Sequence, residues 1–207
     1  METPIRVLVV DDHVAVREGI TAIVNAQEDM VLVGEAVNGK DAIAAYANLR
    51  PDVTLMDLQM PVMGGIEAIT QIRAEARHAR IIVLTVYDGD VQAVRALEAG
   101  ASAYLLKSSL RTELLETIRA VHSGNMHIPP TIAQQIAYHL AVEALSEREI
   151  AILKLVANGN SNKVIGWKLS ITEETVKSHM KSILSKLDVN DRTHAVTVAL
   201  RRGIFEL

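Results

Sequence analysis

The segment "VTLMDLQMP" (Val53–Pro61) runs four apolar or β-branched residues into Asp57 and turns at Pro61. A carboxylate costs free energy to bury unless something pairs with it. A strand that looks buried and yet finishes on an acid therefore places that acid at the open edge of a sheet. The same continuous apolar texture recurs in "IRVLVV" (Ile5–Val10), "VLVGEA" (Val31–Ala36), "RIIVLT" (Arg80–Thr85) and "SAYLL" (Ser102–Leu106). Runs of this kind, as opposed to alternating ones, suit parallel strands covered on both faces. Helix-length amphipathic segments lie between them, near 14–25, 39–49, 64–76, 88–99 and 110–121. Gly39 and Gly64-Gly65 open two of these, and "EAGAS" (Glu98–Ser102) closes another. Five βα repeats predict a doubly wound α/β domain with a parallel sheet.

The rhythm then changes. Residues 122–143 carry Gly124, Asn125 and Pro129-Pro130, which reads as a linker with room for a short helix at 131–141. Beyond it the strand pattern is gone. "LSEREIAILKLVANG" (Leu145–Gly159) opens on a capping box, Ser146 with Glu149 three residues on. Further helices are expected near 161–169, 172–186 and 191–203. The chain thus reads as an α/β domain over 1–121, a linker over 122–143 and an all-α domain over 144–207.

Charge follows the same division. The 207 residues carry a net −4. Residues 1–143 hold 11 basic and 18 acidic side chains, a net −7, whereas residues 144–207 hold 10 and 7, a net +3. A basic tail suits a polyanionic partner, although two ordinary solvated surfaces would also give such a split. With no cysteine there is neither a disulfide framework nor a thiolate metal site. No apolar run is long enough for a membrane span. "METPIRVLVVDD" passes straight into a strand without a basic leader, which argues against a signal peptide. A cytoplasmic protein fits these features.

In an open parallel sheet, ligands bind beyond the carboxyl ends of the strands. Here strand one ends in Asp11-Asp12, strand three in Asp57 and strand four in Thr85, and strand five leads into Lys107. Taken singly, these are a helix-start acid pair, a β-branched strand residue and a solvated lysine. Jointly they bring three carboxylates, a hydroxyl and an ammonium to one edge. Clustered carboxylates repel unless a cation or proton intervenes. Oxygen donors alone point to a hard cation, Mg²⁺. A carboxylate can also attack phosphorus, and Mg²⁺, Lys107 and the Thr85 hydroxyl would neutralise the product's oxygens.

Asp11-Asp12, Asp57 followed by Pro61 and Gly64-Gly65, Thr85, and "SAYLLK" ending in Lys107 resemble the receiver domain of bacterial two-component response regulators over residues 5–121. The resemblance implies strand order 2-1-3-4-5 and a phosphoryl group accepted by Asp57 from a sensor histidine kinase. It implies Mg²⁺ held by Asp12, Asp57 and the Gln59 carbonyl with Asp11 in support, and Lys107 on the phosphoryl group. Thr85 would swing toward that group and Tyr104 would change rotamer in response. Two positions depart from the family's habit. Val86, beside Tyr87, stands where a small residue is common, and Ser108 stands where proline often follows the lysine.

In the tail, "NKVIGWKL" and "TEETVKSHMKSILSKL" have helix–turn–helix rhythm, with Thr172 as cap and Val176, Met180, Ile183, Leu184 and Leu187 as the apolar stripe. Residues 145–203 are similar to the DNA-binding domain of the LuxR type. Joined to a receiver, they resemble the NarL/FixJ class of response regulator. That likeness implies that Lys177, Ser178 and Lys181 face bases or nearby phosphates of double-stranded DNA, and that Asn162, Lys163, Thr175 and His179 mainly meet the backbone. The last helix would supply a homodimer contact on activation. Trp167 is expected in core or helix packing, and His13 as a helix-start residue. The reading is a phosphoacceptor that regulates transcription, not an enzyme, though it takes part in its own phosphoryl transfer and dephosphorylation. A haloacid-dehalogenase-type phosphatase would want a second Asp where Gln59 stands, and a small-molecule-sensing LuxR regulator would not have a strand-end acid cluster.

Overall fold

The computed structural model describes residues 3–86, 90–141 and 144–205. Strands β1 (Ile5–Val10), β2 (Met30–Ala36), β3 (Val53–Asp57), β4 (Ile81–Thr85) and β5 (Ala103–Leu106) form one parallel sheet in the order β2-β1-β3-β4-β5. Helices α1 (Val14–Asn25), α2 (Gly39–Leu49), α3 (Gly65–Glu75), α4 (Asp90–Glu98) and α5 (Leu110–His122) alternate with the strands. Strand side chains alternate between faces. Val7, Val9, Leu55, Ile82, Leu84 and Leu105 pack on one face with Ile20 and Val24 of α1 and Leu114 and Ile118 of α5. Leu8, Val10, Met56, Ile81, Val83 and Tyr104 occupy the alternate positions and are equally buried. Both faces are dry, so the strand segments are continuously apolar and not alternating.

Register brings the site together. Asp57 pairs with Leu84, and Thr85 pairs with Leu106. Each functional residue therefore stands one step beyond, or at the end of, its neighbour's pairing. Gly65 clamps the loop after β3. A Cβ there would meet the Asp57 carbonyl oxygen at 2.1 Å, and the Gly65 amide donates to the Leu58 carbonyl at 3.0 Å. Only glycine lets α3 start this close to the strand end.

The helical part contains α7 (Glu147–Ala157), α8 (Asn162–Leu169), α9 (Glu173–Leu187) and α10 (Arg192–Arg201). Ser146, Ser161, Thr172 and Asp191 cap their N-termini, each satisfying an otherwise unpaired amide. Ile152, Leu153, Ile165, Val176, Met180, Ile183, Ala195 and Ala199 form their shared core.

The described residues of the linker segment, 122–141, add a bridge to the sheet and a helix. His127 forms a parallel bridge with Ala103: its amide donates to Ser102 O at 3.3 Å, and Tyr104 N donates to His127 O at 3.1 Å. Helix α6 spans Pro130–Ala141, within one residue of the short helix expected at 131–141. The described residues divide into two compact units, 3–86 with 93–130 and 90–92 with 131–205.

Candidate functional site

At the carboxyl edge of the sheet, Asp11 and Asp57 are 0% and 3% exposed. The Lys107 Nζ lies 2.7 Å from Asp11 Oδ2 and 2.8 Å from Asp57 Oδ2. Among the described residues, the other Asp57 oxygen accepts the Gln59 amide alone, at 3.3 Å. Burial raises the Asp57 pKa above the ordinary carboxylate range and outweighs Lys107, while the neighbouring Asp11 adds to the rise. Burial alone would lower Lys107, but its ion pair with Asp11 and its hydrogen bond to Asp57 hold it above the ordinary lysine value. Thr85 is buried at the end of β4, and Tyr104 is fully buried in β5. Val86 follows Thr85 onto the surface, and Tyr87 lies outside the described residues.

Asp11, Asp12, His13 and Asp57 offer four ligand atoms within 4.8 Å of one another. Asp11 Oδ2 and Asp12 Oδ1 are buried oxygens that accept no hydrogen bond. Their contacts to Lys107 and to His13 Nδ1 (2.8 Å) are ion pairs without hydrogen-bond geometry. Converging, under-satisfied carboxylate oxygens of this kind fit a hard divalent cation. His13 is the N-cap of α1, a helix-start residue as expected, but its side chain makes no cap bond and serves the acids, which was not foreseen. Instead its amide donates to Asp11 Oδ1 at 2.9 Å, and its ring nitrogen faces both acids. Arg17, not foreseen either, donates to the Asp11 carbonyl at 2.8 Å. Nothing local in the sequence links it to Asp11 beyond helical spacing from His13.

In the tail, α8 ends at Ser170, which adopts the left-handed conformation. Gly166 packs against the following turn: a Cβ there would sit 2.7 Å from Ile171 O. Thr172 caps α9 by accepting the Thr175 amide at 3.1 Å. Val176, Met180, Ile183 and Leu187 turn inward, while Lys177, Ser178, Lys181 and Lys163 are exposed. Asn162, Thr175 and His179 are half-buried. The Asn162 Oδ1 is buried without a hydrogen bond. Lys177 lies 3.6 Å from Glu173 and 3.4 Å from Glu174; its hydrogen bond to Glu174 raises its pKa.

Ser182 is half-buried and donates to Glu149 Oε1 at 2.7 Å. Glu149 also accepts the Ser146 amide at 2.8 Å and the Lys186 Nζ at 3.1 Å. Burial would raise this carboxyl, yet the Ser182, Ser146 and Lys186 donors bring it down to about 2. Trp167 was expected in packing; it is 82% exposed. The buried positions of α8 are Ile165 and Gly166, and Trp167 falls on the far side of the helix from Ile165.

Residues 7–119 match the family described as the response regulator receiver domain, and residues 143–199 match the bacterial regulatory proteins of the luxR family. The chain is 44% identical over 208 residues to the transcriptional regulatory protein LiaR of Bacillus subtilis, covering 97% of this chain and 99% of the relative. It is 39% identical over 207 residues to the response regulator protein VraR of Staphylococcus aureus, covering 98% and 99%. Among solved structures, RcsB of Salmonella enterica serovar Typhimurium bound to a promoter, in the presence of the phosphomimetic BeF3−, superposes with a TM-score of 0.74 at 26% identity over 96% of this chain and 99% of that one. No helix among the described residues is long and apolar enough to cross a membrane.

Proposed function

This chain belongs to the two-component response regulators that join a receiver to a LuxR-type DNA-binding domain, and on that premise we propose that Asp57 is its phosphoacceptor. The observation that carries the proposal is the state of Asp57. It is buried, paired on one oxygen with Lys107, and among the described residues its other oxygen meets one long amide contact. In the reaction an Asp57 carboxylate oxygen attacks the phosphorus of a histidine kinase's phosphohistidine. The O–P bond forms, the N–P bond breaks, and the imidazole keeps the electron pair and takes up a proton. Lys107 then moves from carboxylate to phosphoryl oxygen. The Thr85 hydroxyl donates to a second phosphoryl oxygen, and the buried Tyr104 ring repacks in response. Asp12, Asp57 and the Gln59 carbonyl, supported by Asp11, would hold Mg²⁺. When bound, that ion supplies positive charge to the phosphoryl oxygens.

The output is the exposed face of α9. Lys177, Ser178 and Lys181 meet the major groove, and Asn162, Lys163, Thr175 and His179 meet the flanking backbone. Phosphorylation favours a homodimer through α10, so two tails read half-sites about one helical turn apart. Such a regulator works in the cytoplasm. The receiver takes part in its own dephosphorylation without turning over other substrates.

The test treats the wild type and Asp57→Asn with acetyl phosphate and Mg²⁺, then measures phosphoryl label and affinity for duplex DNA. Label and tightened binding are expected in the wild type alone. Equal labelling of both proteins would remove Asp57 from the mechanism.

A further inference from the structure

Tryptophan joins a large apolar ring to one N–H donor, which suits it to a surface where an apolar face meets a polar or charged partner. Trp167 is 82% exposed, and Val164, one turn earlier, is 39% exposed. Lys163 and Lys168 are exposed on the same helix. Between Asn158 and Thr172 there is no Asp or Glu, so the outer surface of α8 is basic and aromatic with no local counter-charge. Lys163 and Trp167 are four apart and stand together on the helix surface. Gly166, three residues from Lys163 and adjacent to Trp167, is the residue that touches the turn into α9. The Lys163–Trp167 flank therefore borders the start of the helix to which the proposed function assigns the major groove.

We infer that Trp167 extends the backbone contact assigned to Lys163, lying against the sugar–phosphate backbone beside the groove that α9 enters. Its indole N–H donates to a phosphate oxygen, its ring covers a deoxyribose, and Lys163, four residues away on the same face, neutralises the neighbouring phosphate. The charge on this surface selects a polyanion over an apolar protein partner. Backbone contact makes the contribution independent of sequence, so it raises affinity for every duplex alike. The inference rests on the reading of the tail as the DNA-binding output.

Trp167 is the chain's only tryptophan, so its emission reports this surface alone. The full-length protein, treated with acetyl phosphate and Mg²⁺, is titrated with a duplex of mixed sequence at several salt concentrations. Trp167 emission should shift and its access to acrylamide should fall as DNA binds. Trp167→Ala should weaken binding about tenfold, as expected when a hydrogen bond to a charged group is lost. Trp167→Phe should fall between, and Lys163→Ala should reduce the slope of log affinity against log salt by about one. Wild-type binding without any change in emission, together with unchanged affinity in Trp167→Ala, overturns the inference and leaves the recognition helix in place. Unchanged DNA affinity with reduced transcription in Trp167→Ala also overturns it, in favour of a protein partner. A wild type that binds no duplex at any salt removes the DNA-binding reading and this inference with it.

Discussion

Asp57 and Glu149 are buried to nearly the same extent, 3% and 4% exposed, yet burial ends in opposite states for the two carboxyls. Asp57 has one ammonium, one long amide contact and a like-charged neighbour in Asp11. Its pKa rises. Glu149 takes two donors from Ser146, one from Ser182 and one from Lys186. Its pKa falls to about 2. Desolvation acts against the charge in both places and weighs more on Asp57, where Lys107 does not offset it, whereas at Glu149 the Ser182, Ser146 and Lys186 donors do. An under-satisfied carboxylate suits the phosphoacceptor and cation role proposed for Asp57. A fully satisfied one holds two helices, α7 and α9, in a fixed relation.

The largest expected effects come from exchanging the two losses. Asp57→Asn should abolish phosphoryl uptake, read as radiolabel from acetyl phosphate, while its thermal midpoint stays at or above that of the wild type. The substitution removes a poorly compensated charge. Glu149→Ala should do the reverse. Labelling of Asp57 should persist, and the helical unit should lose about 3 kcal/mol, because the Ser146, Ser182 and Lys186 donors lose the buried acceptor they share. Urea titrations followed by circular dichroism read that loss. If Asp57→Asn proved as destabilising as Glu149→Ala, the balance of donors against desolvation would not be what distinguishes the sites.

Acid titration sharpens the same contrast. Glu149 falls from 4.5 to about 2 on folding, so the stability it contributes is fully present above its unfolded value. That stability drains away as pH drops from about 4.5 through 2, to a total of about 3 kcal/mol. Asp57 works with the opposite sign. Its raised pKa favours the protonated form in the folded state, so its contribution to stability is lost as pH rises from the ordinary value of 3.8 through the raised one. Glu149→Gln should flatten the acid limb of the stability curve, and Asp57→Asn should steepen it. Stability curves for the two variants over pH 2 to 6 check both signs.

What the sequence reveals follows how locally each feature is encoded. The strand-end acids are legible because each is tied to a β-strand whose apolar run is continuous, and parallel pairing brings successive strand ends to one edge. The Ser146–Glu149 capping box is legible because its members are three residues apart. Ser182 and Lys186 reach Glu149 from 33 and 37 residues away, and nothing in their own segments announces it. Pro129-Pro130 reads as a helix breaker, but Pro130 is the first residue of α6, where a missing amide costs nothing. Trp167 is misjudged on residue type. Helical spacing from Ile165 places it away from the core, and that period is a better guide than its hydrophobicity.

Backbone conformation repeats the contrast on a smaller scale. Ser170 and Asp188 have positive φ, 54° and 53°, and both end helices in the tail. A left-handed residue at a helix C-terminus satisfies terminal carbonyls, and Asp there is tolerated because its short polar side chain can bond locally. Val62 also has a positive φ, 71°, but it lies in the loop between Asp57 and α3 and is 84% exposed. A β-branched residue in that region is strained by about 1–2 kcal/mol, and no burial offsets it. Glycine would remove the strain but lose more conformational entropy on folding, about 0.5–1 kcal/mol. Val62→Gly should therefore stabilise the receiver by about 0.5–1 kcal/mol, measurable in urea. Ser170→Gly, which relieves less strain, should change the tail by less. A destabilised Val62→Gly would mean that the valine makes a contact outweighing its backbone cost. The loop beside the phosphoacceptor would then be held by packing, as the tail is, and the contrast between a poised receiver and a satisfied helical unit would narrow to Asp57 alone.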